Sequence, residues 1–113
     1  MNLEEWKSQI KRGTLEYCVL LLVSKRDYYG YGLMTELSAF PIVAAKESTT
    51  YPLLRRLEKD SYLTSYWKET TEGLPPRKYY SITERGERYL SAMSTEWSHL
   101  VDAVEYMKGD KNG

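Results

Sequence analysis

The chain is poor in the residues that most enzymes and secreted proteins depend on. It holds one cysteine, Cys18, and one histidine, His99, in 113 residues. A single cysteine excludes an internal disulfide, and the two residues together are too few for a metal-ligand cluster. No glycine-rich phosphate loop and no nucleophile–base arrangement occurs, so neither an enzyme nor a cofactor nor a metal is expected. The longest apolar run, Tyr17 to Val23, is far too short to cross a bilayer. The first residues are acidic and amphipathic, unlike the charged-then-apolar opening of a signal peptide. Cys18 lies inside the apolar run and reads as a small core residue, which suits a reducing cytoplasm. Net charge is also missing, with 16 basic residues against 16 acidic.

That balance conceals an uneven distribution. Residues 1–26 and 46–83 carry more Lys and Arg than Asp and Glu, whereas residues 89–107 carry Glu96, Asp102 and Glu105 and no basic residue. A basic front and an acidic back cancel in the sum and still leave a positive face for phosphate. At 113 residues the chain is one small cooperative unit.

The stretch from Ser48 to Lys59 organises the rest. At about 100° per residue it has two faces. Tyr51, Leu54 and Leu57 fall on one, with Leu53 at its edge. Ser48, Pro52, Arg55, Arg56 and Lys59 fall on the other. An apolar back and a cationic front describe a helix that lies in the major groove of DNA. Ser48 or Thr49 is expected to cap it, and Pro52 is expected in its first turn, where a missing N–H costs little.

The flanking segments fit that role. Leu3, Trp6 and Ile10 space a short amphipathic helix over residues 3–12, and Gly13 marks a bend. Leu15 to Ser24 resumes as a buried helix that ends at Asp27-Tyr28-Tyr29-Gly30. A second helix is expected from about Tyr31 to Phe40, with Leu33, Met34 and Leu37 inward and Pro41 as its stop. After the cationic helix, residues 62–70 and 77–82 are rich in aromatic and β-branched residues and read as two strands. Thr71-Glu72-Gly73-Leu74-Pro75-Pro76 joins them. Helix, turn, helix and hairpin make a winged helix-turn-helix, whose loop places Arg77 and Lys78 beside a phosphate backbone or minor groove.

Thr83 caps a last helix from Glu84 to about Lys108. In it Leu90, Met93, Trp97, Leu100, Val104 and Met107 recur at intervals of three and four, a heptad seam. Either the helix folds back on its own domain, or the seam packs on a second copy, with Leu3, Trp6 and Ile10 covering the remainder. The length of the seam favours the dimer. The fold class expected is mainly α with a small β-hairpin: residues 1–83 form the winged helix-turn-helix with its N-terminal helix, and residues 84–113 form the dimerisation helix and a short tail. The rival to DNA binding is a winged-helix module that binds protein, which the neutral charge allows.

Several segments together resemble the PadR family of bacterial transcription regulators. They are Gly13-Thr14-Leu15-Glu16, Tyr29-Gly30-Tyr31, Thr50-Tyr51-Pro52-Leu53-Leu54-Arg55-Arg56-Leu57-Glu58, and the run from Arg77 to Gly86. The resemblance spans about residues 10–108, and the single C-terminal helix is similar to the smaller subgroup. It implies a homodimeric winged-helix repressor acting on promoters. Two departures stand out: Ser61 replaces the glycine that usually ends the recognition helix, and the wing is less basic than many. On this basis the DNA-contacting residues are Ser48, Thr49, Tyr51, Pro52, Arg55, Arg56, Arg77 and Lys78. Around Trp97-Ser98 the chain resembles multidrug-binding members. That implies a flat aromatic effector held by Trp97, Met93 and Leu100; the bland alternative is that Trp97 only fills the dimer core.

Overall fold

The computed structural model describes residues 2–71 and 73–109. Its first helix, α1 (Leu3–Lys25), is capped by the Asn2 side chain, which accepts from Glu5 N at 3.0 Å. Gly13 does not interrupt it; the helix runs through, with Thr14 Oγ1 donating to Ile10 O at 2.7 Å. The expected bend is absent because one glycine costs only about 1 kcal/mol, which a long helix anchored at one end absorbs. Leu15, Val19, Leu20 and Val23 anchor that end in the core, while Leu3 and Trp6 project into solvent.

A strand too short to leave a periodic signal follows: β1 (Tyr28–Tyr29), where a plain turn was expected. Helix α2 (Gly30–Ser38) begins and ends earlier than its sequence suggested. At its first residue, Gly30, the Tyr51 ring lies against the backbone, within 2.9 Å (Cζ) of where a Cβ would sit, so the position has no room for a side chain. Leu33 and Leu37 are buried as expected, and Met34 only partly. Val43 N and Ala44 N then bond Phe40 O and form the turn.

Helix α3 (Glu47–Lys59) buries Thr50, Leu53, Leu54 and Leu57. The apolar stripe is therefore rotated from the expected one: Leu53 is central and Tyr51 lies half-buried on a flank. The helix ends in a Schellman arrangement, with Tyr62 N bonding Leu57 O and Ser61 N bonding Glu58 O. Ser61 occupies the left-handed position at φ 65°, the place where a glycine is favoured. The departure noted in the sequence thus left the helix end where a glycine would put it.

Strands β2 (Leu63–Lys68) and β3 (Arg77–Ile82) pair antiparallel, Leu63 opposite Ile82 and Lys68 opposite Arg77. β1 adds to the far side of β3, so the hairpin is part of a three-stranded sheet in the order β1-β3-β2. In the loop of the wing, the expectation for Glu72 lies outside the described residues, as does that for the tail after Gly109.

Helix α4 (Glu84–Lys108) starts where Thr83 Oγ1 accepts from Gly86 N at 2.9 Å, as its sequence indicated. Its first turns rest on α1 and the end of α3; Leu90 is buried and Met93 packs against the core. From Thr95 to Gly109 every residue is exposed. The molecule is accordingly elongated, 63 × 33 × 22 Å.

Candidate nucleic-acid interface

The exposed side of α3 is set by what its other side buries. Thr50, Leu53, Leu54 and Leu57 define the back, so Ser48, Pro52, Arg55 and Lys59 stand opposite, all exposed. Arg55 enters no ion pair among the described residues and is free to meet an external anion. Pro52 is the sixth residue of the helix, in the second turn and not the first. It therefore gives the Ser48 carbonyl no N–H, and that acceptor opens on the exposed front. Neither Ser48 nor Thr49 caps the helix. The N-cap is Lys46, extended and without a side-chain bond, because Thr49 N and Thr50 N bond the Lys46 carbonyl directly. Both hydroxyls remain on the exposed first turn.

The flanks differ. On one, Arg56 turns back to α1, its Nη2 3.5 Å from Glu16 Oε2. Glu16 Oε1 in turn accepts from the Tyr89 hydroxyl at 3.4 Å. An ion pair of this exposure is worth under about 1 kcal/mol, so phosphate can compete for Arg56. On the other flank Tyr51 lays its ring on Gly30. Burial, aided by Glu47, raises its pKa and keeps the phenol a neutral donor. A concavity of about 570 Å³ at the start of α3 is lined by Lys11, Ala44, Ala45, Lys46, Ser48 and Thr49. Its two lysines were not among the expected contacts. Lys46 precedes the helix directly and was legible; Lys11 is brought there only by the packing of α1.

The wing sorts its cations by strand alternation. Arg77 and Lys78 are neighbours in sequence and so face opposite sides of the sheet. Arg77 lies over the Tyr29 ring, 4.5 Å from its centroid, and its cross-strand partner Lys68 over Tyr79 at 5.4 Å. Tyr79 stands between Tyr29 and Tyr66 at centroid distances of 5.5 and 5.8 Å. This outer face carries two stacked cations, of which Lys68 was not expected. Lys78 turns the other way, to Glu58 of α3 at 3.1 Å. Its charge is already matched, so its expected role as a wing contact is not reflected in its placement.

The second candidate site lies on α4. Trp97 tilts against Tyr17 with ring centroids 5.7 Å apart, and Tyr17 donates to Ser94 Oγ at 3.0 Å. A cavity of about 340 Å³ is walled by Tyr17, Tyr89, Met93, Trp97 and Leu100, with Glu96 at its edge. Behind it an apolar groove of about 490 Å³ runs between α1 and the turn before α3, walled by Cys18, Leu22, Phe40, Ile42 and again Trp97. Of the expected dimerisation residues, Leu3, Trp6, Trp97, Leu100, Val104 and Met107 are exposed and Ile10 is partly so. Leu90 is not available: the first turns of α4 bury it in the chain's own core.

The profile of the transcriptional regulator PadR-like family matches residues 19–92. The chain belongs to the PadR-like family of transcriptional regulators. It is similar to an uncharacterised protein from Lysinibacillus sphaericus, 36% identical over 109 residues, which covers 91% of this chain and 96% of that one. It is also similar to the crystal structure of a PadR family transcriptional regulator from Eggerthella lenta. There the identity is 33% and the TM-score 0.84, over 96% of this chain and 94% of that one. A PadR-like regulator from Bacillus cereus is 32% identical, with a TM-score of 0.81, over 91% and 99% of the two chains.

This PadR-like regulator is thus a DNA-binding protein and not an enzyme. The mainly helical fold with its three-stranded sheet and long C-terminal helix is the one seen in those PadR structures. Among the described residues no group of His, Cys, Asp and Glu could hold a metal ion. No helix of the described residues is long and apolar enough to cross a membrane.

Proposed function

We propose that this PadR-like regulator is a homodimeric repressor that docks α3 in the major groove and its wing beside the phosphate backbone. The observation that carries the reading is the sidedness of α3: a fully buried apolar back under an exposed front of Ser48, Pro52, Arg55 and Lys59. Two copies join along the bare part of the α4 seam, from Trp97 to Met107, with Leu3 and Trp6 of α1 closing over it. Two-fold symmetry then sets the recognition helices about 34–36 Å apart on a pseudo-palindrome. Binding to a promoter duplex, titrated at two salt concentrations beside a scrambled duplex, tests this. A specific repressor prefers the promoter by about a thousandfold or more, and its affinity falls steeply with salt. Equal, weak binding to both duplexes would reject it.

The same reading gives Trp97 a second task. In the dimer the two indoles approach one another and offer flat walls to an aromatic effector, with Glu96 favouring a cationic one. Tyr89 supplies a physical route to the DNA side, since it walls the cavity and also holds Glu16, the partner of Arg56. A flat cationic dye should quench the protein's fluorescence saturably, and Trp97→Ala should abolish dye binding with the dimer intact. Undiminished dye binding in that variant removes Trp97 from the effector site.

A further inference from the structure

One carboxylate joins three elements at the base of the wing. Glu58 leaves the flank of α3 that faces the sheet. Its Oε2 accepts from the Ser65 hydroxyl on β2, and its Oε1 accepts from Lys78 Nζ on β3 at 3.1 Å. Lys78 also lies over the Tyr80 ring, 5.3 Å from its centroid, and Tyr80 is buried directly opposite Ser65. On the body side of this point Leu63 and Tyr80 are core residues. Beyond it Tyr66, Trp67 and Lys68 are exposed, Trp67 to 69%. Glu58 therefore grips the hairpin where it leaves the body, and the grip comes from the recognition helix itself.

Leverage makes that position important. The three strand residues past Ser65 reach roughly 10 Å at about 3.3 Å each. A tilt of about 10° at the grip moves the end of the strand by roughly 2 Å, more than a hydrogen bond to DNA tolerates. On the outer face Tyr66 donates to Asp27 Oδ2 at 2.6 Å, which ties the hairpin to the α1–β1 junction but not to α3.

We propose that Glu58 is a positioning residue for DNA recognition, setting the angle between recognition helix and wing through Ser65 and Lys78. Lys78 then acts through Glu58 and not on phosphate. This rests on α3 and the wing being the two DNA-contacting elements. The group is suited to the task because its charges are spent on each other: among the described residues the Glu58 carboxylate meets Ser65 and Lys78, and the Lys78 ammonium meets Glu58 and Tyr80.

The test uses the full chain and two duplexes: one enriched by the wild-type protein from a randomised library, and a scrambled version. Affinities for both are measured at several salt concentrations, well below each variant's melting temperature, for Glu58→Gln, Lys78→Met, the double variant and Arg55→Ala. Each single change should lower the ratio of enriched to scrambled affinity by about tenfold, and the double variant should lose no more than either, since the residues act as one unit. Lys78→Met should leave the salt slope on scrambled DNA unchanged. An equal loss on both duplexes with the slope reduced by about one would make Lys78 a phosphate contact and overturn the proposal. So would an unchanged ratio in Glu58→Gln, whatever its melting temperature. If Arg55→Ala also changes neither duplex, it is the reading of α3 that fails.

Discussion

Gly86 offers a substitution whose sign differs between local and tertiary reasoning. It lies in the first turn of a 25-residue helix, where alanine would be favoured over glycine by about 1 kcal/mol on helix propensity alone. A Cβ there, however, would stand 2.8 Å from Ile82 Cγ1 and 3.0 Å from the Tyr62 carbonyl carbon, with the carbonyl oxygen closer still. That oxygen cannot swing aside, because it accepts from Thr83 N at 3.1 Å and from Thr83 Oγ1, also at 3.1 Å. Relief requires α4 to lift from the end of α3. Overpacking of this kind costs typically about 1–3 kcal/mol, and a fixed backbone obstacle belongs at the upper end. Subtracting the propensity gain leaves Gly86→Ala destabilised by about 2 kcal/mol, or roughly 8 °C in melting temperature for a chain of this size. Circular dichroism melts at matched protein concentration measure it, since a dimer's melting temperature depends on concentration. Gly13→Ala is the control: nothing lies within 4 Å of its Cβ, so the same change should stabilise by about 1 kcal/mol. A melting temperature for Gly86→Ala equal to or above wild type would refute the reasoning.

Three further outcomes follow from the same geometry. Ser61→Gly should stabilise the chain by about 0.5–1 kcal/mol, relief of the left-handed conformation outweighing the added freedom of the unfolded chain, as read by chemical denaturation. Arg55→Ala should weaken binding to a selected duplex by about 1–3 kcal/mol if the guanidinium reads a base; an equal loss on all sequences, with a smaller salt slope, would make it a phosphate contact. The Ser65 hydroxyl bond, with Lys78 beside it, holds the Glu58 carboxyl below its ordinary value of 4.5. Its contribution is thus present above pH 4.5 and lost as pH falls through the lower folded value. The bond to Glu58 raises Lys78 above 10.5, so that part persists until strongly alkaline pH. The stability difference between wild type and Glu58→Gln should therefore be steady near neutrality and vanish in acid; a difference that survives below the folded value would mean the carboxylate's charge is not its source.

The elements whose residues carry their own periodicity were legible in the sequence. The heptad seam from Leu90 to Met107 drew α4 to within a residue, and Thr83 as its cap follows from a hydroxyl standing just before an amphipathic run. The two-faced α3 and the wing strands were equally open to reading, because hydrophobic period and turn composition are local properties. The residue counts were legible too: one cysteine excludes an internal disulfide whatever the fold. Strand alternation by itself also places Arg77 and Lys78 on opposite faces.

Only the tertiary structure decided the rest. β1 is two residues long and exists because Tyr28 and Tyr29 meet Tyr80 and Tyr79 on a strand some fifty positions away. Glu16, itself bonded by Tyr89, claims Arg56, and Glu58 claims Lys78, through contacts between different elements of the fold. Leu90 looks like its seam-mates at the level of sequence, yet the first turns of α4 lie on the body and the later ones do not. The physical reason is common to all of these. Period and propensity fix which side of an element is apolar, whereas the partner of each polar or aromatic group depends on which elements pack together, and that is settled by the whole core at once.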